Sequence, residues 1–146
     1  MTRSATRATS ITLDQAEAVI AAAKEKADDI GVPMNIAVVD AGNNLTAFAR
    51  QDGAWLGSIA IAKDKAFTAR AFDAATHDLY EKAQPGGSLY GIGVSNDGRV
   101  ITFPGGIPLT DGDEIVGAIG VSGGEVAQDQ EVAEAGAAAF DGKDAS

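Results

Sequence analysis

Two β-rich runs, Asn35–Asp40 and Leu45–Arg50, are separated only by Ala41-Gly42-Asn43-Asn44. Parallel strands need a crossover of about a dozen residues or more, so this connection is too short for one. Its glycine and asparagines suit a tight turn instead. The pair therefore reads as a β-hairpin, and a sheet built on it is antiparallel there. Upstream, Leu13, Ala16, Val19, Ile20, Ala23, Ala27 and Ile30 recur at helical intervals, and Thr12 and Gln15 have capping-box spacing. Gly31 suits a left-handed stop and Pro33 forbids continuation, which bounds a first helix at about 13–30.

Downstream, the stripe Ile59, Ala62, Ala66 and Ala69 predicts a second helix over Trp55–Phe72, and Asp73–Ala83 reads as a short further helix. Gln84-Pro-Gly-Gly-Ser88 breaks the chain. Leu89–Val94 reads as a strand or an irregular segment, Arg99–Phe103 as a strand, and Pro104–Leu109 as a glycine-rich loop. Ile115–Val121 is a strand, and a last helix runs from about Glu125 to Phe140. The order α-β-β-α-(α)-β-β-β-α predicts an α/β (α+β) fold, a central, mostly antiparallel sheet of about five strands flanked by helices. It is expected as a single domain at 11–141, between flexible tails at 1–10 and 142–146.

A chain of 146 residues holds enough core to fold without staples, and it has no cysteine. Disulfides, iron–sulfur clusters, thiolate zinc sites and a cysteine nucleophile are thereby excluded. The formal net charge is −10, which makes nucleic acid and anionic membrane poor partners. The first ten residues, MTRSATRATS, lead into no apolar stretch of signal-peptide or membrane-spanning kind, so a cytoplasmic location is expected.

Gly105-Gly106-Ile107-Pro108 could let a ligand approach the main chain or offer an anion nest, or could be a wide turn. Ser122-Gly123-Gly124 could expose amides to a carboxylate or phosphate, or could be a tight strand-to-helix turn with Glu125 satisfying the helix end. Arg50, Lys63, Lys65 and Arg70 form a basic set. Lys63 fits a solvated face, whereas Lys65, between Ala62 and Ala66, is expected to point at a ligand. His77, the sole histidine, could ligate haem iron or act as a base, or could occupy an exposed helix turn beside Thr76 and Asp78. Asp40, Asp52 and Asp129 are candidate carboxylate ligands that no spacing singles out. Trp55, Phe48, Phe67 and Phe103 could face a planar ligand or lie in the core.

Taken together, VVDAGNNLTAFARQDGA at 38–54, KAFTA at 65–69, FPGGIPL at 103–109, VGAIGVSGG at 116–124 and QD at 128–129 resemble the GlcG/HbpS haem-binding family. They also resemble the C-terminal domain of PduO-type corrinoid proteins. The resemblance spans about residues 11–140. It implies a helix-flanked antiparallel sheet, a homo-oligomer (a dimer or more, up to an octamer), and a pocket among the KAFTA helix, the GGIP loop and the SGG loop.

The function expected is binding of haem, a related tetrapyrrole or an anionic small molecule. The binding residues would be Phe48, Arg50, Lys65, Thr68, Phe103, Gly105, Gly106, Pro108, Ser122, Gly123 and Gly124, with His77 as the haem-ligand candidate. The alternative is an enzyme acting on a small carboxylate or carbonyl compound by acid–base chemistry through Lys65, Arg50 or Asp129.

Overall fold

The structure, a computed structural model, describes residues 9–140. Residues 1–8 and 141–146, which hold most of the tails expected from sequence, lie outside the described residues. Ser10 does not behave as a tail residue, because its Oγ accepts from the Ala41 amide at 3.0 Å. Helix α1 spans Leu13–Ile30 and opens on the full Thr12/Gln15 capping box. It closes at Gly31 with φ 72°, where a side chain would be strained.

Strands β1 (Asn35–Asp40) and β2 (Leu45–Arg50) form the expected antiparallel hairpin. Its turn is closed by Asp40, whose Oδ1 accepts from the amides of Gly42 and Asn44, both at 2.9 Å. Helix α2 spans Gly57–Phe72, α3 spans Thr76–Tyr80, and one-turn 3₁₀ segments follow at Glu81–Ala83, Ile92–Val94 and Asn96–Gly98. Strands β3 (Gly106–Asp111) and β4 (Glu114–Ser122) make a second hairpin, and α4 runs Val126–Phe140. The sheet order is β2-β1-β4-β3, antiparallel throughout.

Four strands are present among the described residues rather than about five. Arg99–Phe103 has no strand partner; the Ile101 amide donates instead to the Thr68 hydroxyl, at 3.0 Å. Leu89–Val94 is irregular and ends in a 3₁₀ turn. The missing pairing is made by Gly106–Asp111, read from sequence as part of a loop because it carries Gly106 and Pro108. A proline is admissible there because β3 lies at the edge of the sheet. The short helix after α2 is also less extensive than 73–83: Asp73 adopts φ 51° and ends α2, and α3 begins only at Thr76.

The two faces of the sheet are covered differently. Helices α1 and α4 pack on one face, where Val19, Ile20, Met34, Ile36, Val38, Leu109, Ile119, Val121 and Val132 form the main core. Helix α2 packs on the other, where Ala37, Val39, Ala62, Ala66, Ala69 and Ala118 form a thin layer of small side chains. There helix and strand backbones nearly touch. A Cβ at Gly120 would lie 2.1 Å from the Ala62 carbonyl oxygen, and one at Gly106 would lie 2.5 Å from that of Lys65. The glycines of β3 and β4 thus let α2 settle directly on the sheet, which sets where the Lys65 side chain emerges.

Candidate functional site

Lys65 leaves α2 at the end of β4 and is fully buried. Its Nζ donates to the Val121 carbonyl at 2.8 Å and to Asp129 Oδ2 at 2.9 Å. Asp129, 2% exposed, lies in the first turn of α4 and accepts the Gly124 amide on Oδ1 at 2.9 Å. Burial pushes the Lys65 ammonium down from its usual range, opposed by Asp129. Burial likewise pushes the Asp129 carboxyl up, opposed by Lys65 and by the amides of Gly124 and Gly123. The pair ties α2, β4 and α4 together.

The glycine corner beside it is also fully engaged. The Gly105 amide donates to Gln130 Oε1 at 3.0 Å, and the next amide, Gly106, donates to Thr76 Oγ1 at 2.9 Å. The Gly105 carbonyl accepts from the Val121 amide at 2.9 Å. Gly105 adopts φ 127°, and a Cβ there would lie 2.8 Å from Lys65 Nζ. The amides of Gly105, Gly106 and Gly124, expected as anion donors, are therefore occupied within the chain. Their glycines permit close backbone packing at this corner.

The other sequence candidates are dispersed. Thr68 is buried; its hydroxyl donates to the Asp64 carbonyl at 2.7 Å and accepts from Ile101. Phe48 is half-buried against the alanine layer, and Pro108 is half-buried on β3. Ser122 is buried at the end of β4, and Gly123 follows it at φ 149°. Arg50 is exposed and donates from Nε and Nη2 to the Ala54 carbonyl. It lines an open groove of about 550 Å³ between α1 and β2, together with Lys24, Asp28 and Asp52. Asp40 is committed to its turn, and the three candidate metal carboxylates Asp40, Asp52 and Asp129 do not converge. Among the described residues, no cluster of three His, Asp or Glu side chains is placed to hold a metal ion.

An open cleft of about 440 Å³ lies next to the glycine corner. His77, Asp78, Tyr80 and Glu81 of α3 and its extension form one wall, and Pro104 and Val126 complete the lining. His77 is half-exposed, with Nε2 3.1 Å from Asp78 Oδ1. Phe103, next to Pro104, is 40% exposed, and its ring centroid is 5.7 Å from Lys65 Nζ. Lys65 and Asp129 thus stand behind the cleft rather than in it. Sequence reasoning missed Tyr80, Pro104, Val126, Thr76 and Gln130. The last two directly neighbour His77 and Asp129, and that adjacency was the only available signal.

An antiparallel sheet between helical layers, with an open cleft where the glycine corner meets α3 and α4, defines a small three-layer α/β protein. The chain belongs to the HbpS-like family of haem-degrading proteins, whose sequence model matches residues 11–138. It is 41% identical over 124 residues to an uncharacterized 15.0 kDa protein from the dhaT–dhaS intergenic region of Citrobacter freundii, covering 85% of this chain and 87% of that one. It is 40% identical over 139 residues to the corrinoid adenosyltransferase PduO of Citrobacter freundii, covering 94% of this chain but only 42% of PduO. The crystal structure of a PduOC–haem complex superposes with a TM-score of 0.86 at 37% identity, covering 90% of this chain and 95% of that one.

Proposed function

We propose that this chain binds haem, or a related tetrapyrrole, in the cleft formed by His77, Tyr80, Pro104 and Val126. The observation that carries this reading is that the only histidine of the sequence stands on the wall of an open cleft next to exposed apolar and aromatic surface. The lining fits the group: an imidazole can ligate iron, and Pro104, Val126 and the Tyr80 ring can cover part of a flat macrocycle. Bound haem would supply iron redox chemistry; the chain supplies orientation and partial exclusion of water. Asp78 and Glu81 repel propionates, so those groups would be directed away from that wall and toward solvent. Membership of a haem-degrading family and the haem-bound PduOC relative support the same reading.

An acid–base enzyme working through Lys65, Arg50 or Asp129 has less support. Lys65 and Asp129 are closed off and turned on one another, and Arg50 is elsewhere.

Titration of the purified chain with hemin is expected to give a saturable Soret shift at micromolar concentration. His77→Ala is expected to weaken binding at least tenfold and to change the Soret position. If His77→Ala binds as tightly as the parent, His77 is not the haem ligand and the assignment of the site to this cleft is lost. If the parent shows nothing beyond free hemin, the haem reading is lost.

The reading includes a homo-oligomer. Trp55, Leu56, Tyr90 and Val94 are large apolar or aromatic residues exposed at 68%, 72%, 68% and 85% in the single chain. Sedimentation is expected to show a mass at least twice that of the chain; a monomer at high micromolar concentration would remove this part.

A further inference from the structure

The cleft is built around two consecutive main-chain amides, and each one tethers a different flank. The Gly105 amide holds Gln130, on α4, the helix that begins at the lining residue Val126. The Gly106 amide holds Thr76, the first residue of α3, directly before His77. Pro104, which lines the cleft between these flanks, immediately precedes both glycines.

Thr76 is fully buried, although it is polar and adjoins a half-exposed histidine. Its Oγ1 also lies 3.5 Å from the Gly106 carbonyl oxygen, and its methyl lies 2.8 Å from where a Cβ of Gly106 would stand. A hydroxyl removed from water and matched to one amide is costly to leave unpaired, so this contact holds α3 in one place. α3 is only five residues long and cannot orient itself by its own helical stability.

We propose that Thr76 and Gln130 are positioning residues that set the width of the cleft, with Thr76 fixing His77 opposite Pro104 and Val126. The ligand class this serves is a flat molecule gripped edge-in, its apolar edge against Pro104, Val126 and the Tyr80 ring, with Asp78 and Glu81 keeping anionic groups off the α3 wall. The inference rests on the haem reading for the identity of the ligand. The tether itself is independent of that reading.

The experiment compares Thr76→Val with Thr76→Ser. Valine keeps the shape and loses the hydroxyl; serine keeps the hydroxyl and loses the methyl. Hemin titrations are run at a temperature where both variants are fully folded by circular dichroism, and amide hydrogen exchange is measured on the ligand-free chains. The expected result for Thr76→Val is at least tenfold weaker hemin binding with a shifted Soret band. Its exchange should also be at least tenfold faster, and confined to Gly105, Gly106 and residues 76–81. Thr76→Ser should stay within about threefold of the parent on every measure.

Parent-like hemin affinity and exchange in Thr76→Val would overturn the proposal. So would exchange accelerated evenly across the fold, which marks a loss of stability only. If the parent itself fails to bind hemin, the haem reading falls and the exchange pattern alone decides: local acceleration sustains the tether, and none or a uniform one refutes it.

Discussion

Lys65→Met is expected to destabilise the fold by about 3–5 kcal/mol at neutral pH, because it leaves the Asp129 carboxylate buried without its counter-charge. The deficit should depend on pH in a definite direction. Burial already pushes the Asp129 carboxyl up, and Lys65 is the main influence holding it down. Without Lys65 the native carboxyl keeps its proton to higher pH than the unfolded chain, where it ionises near pH 4. Between those two values the native state binds more protons, so stability falls as pH rises through the window. Below it both states are protonated and the penalty is absent. Urea melts of Lys65→Met between pH 4 and pH 8, set against Lys65→Met/Asp129→Asn, isolate this effect. The double variant keeps an acceptor for the Gly124 amide and removes the charge, so it should recover most of the loss and flatten the pH dependence. A single variant within 1 kcal/mol of the parent at pH 7 would mean the buried pair is not what holds this corner.

Gly120→Ala is expected to be comparably severe for an unrelated reason. The added methyl would lie 2.1 Å from the Ala62 carbonyl oxygen and 2.4 Å from the Ala66 amide nitrogen, both main-chain atoms of α2. No side chain can rotate away, so α2 itself must lift from the sheet. Overpacking of cores costs about 1–3 kcal/mol and occasionally more; a clash between main chains belongs at or above the top of that range. Gly31→Ala is the control. It has open space within 4 Å and carries only the strain of φ 72°, about 1–2 kcal/mol. Chemical denaturation of both variants checks this ranking, and a Gly120→Ala protein no less stable than Gly31→Ala would contradict the backbone contact.

Helix α1, the first hairpin, β4 and α4 were legible in the sequence because each carries its own signal within a few residues: a capping box, an Asp-Ala-Gly-Asn-Asn turn or a sustained apolar run. The errors fall where local and tertiary information diverge. Arg99–Phe103 looks like a strand but finds the Thr68 hydroxyl rather than a neighbour, and Gly106–Asp111 looks like a loop but supplies an edge strand. Lys65 stands out by its place between Ala62 and Ala66 and Asp129 is one of several candidate carboxylates, but their pairing could not be read, because they are 64 positions apart. The glycine pairs were legible as unusual. Their use as seats for a helix backbone depends on what packs above them, and no local pattern records that.

The sheet order has a consequence for how the protein is made. Of the four strands, β4 is the last to be synthesised, yet it lies between β1 and β3 and supplies the partner that joins the two hairpins. While the ribosome is still adding residues 81–105, the β1–β2 hairpin has only α1 to cover one of its faces and α2 the other, and its inner edge is open. An isolated two-stranded hairpin is marginal in water, and an unpaired inner edge is a template for wrong partners. The nascent chain therefore passes through a vulnerable interval that ends only when Ala118–Val121 docks against Ile36–Val39, and the early half of the protein waits on the late half to become stable.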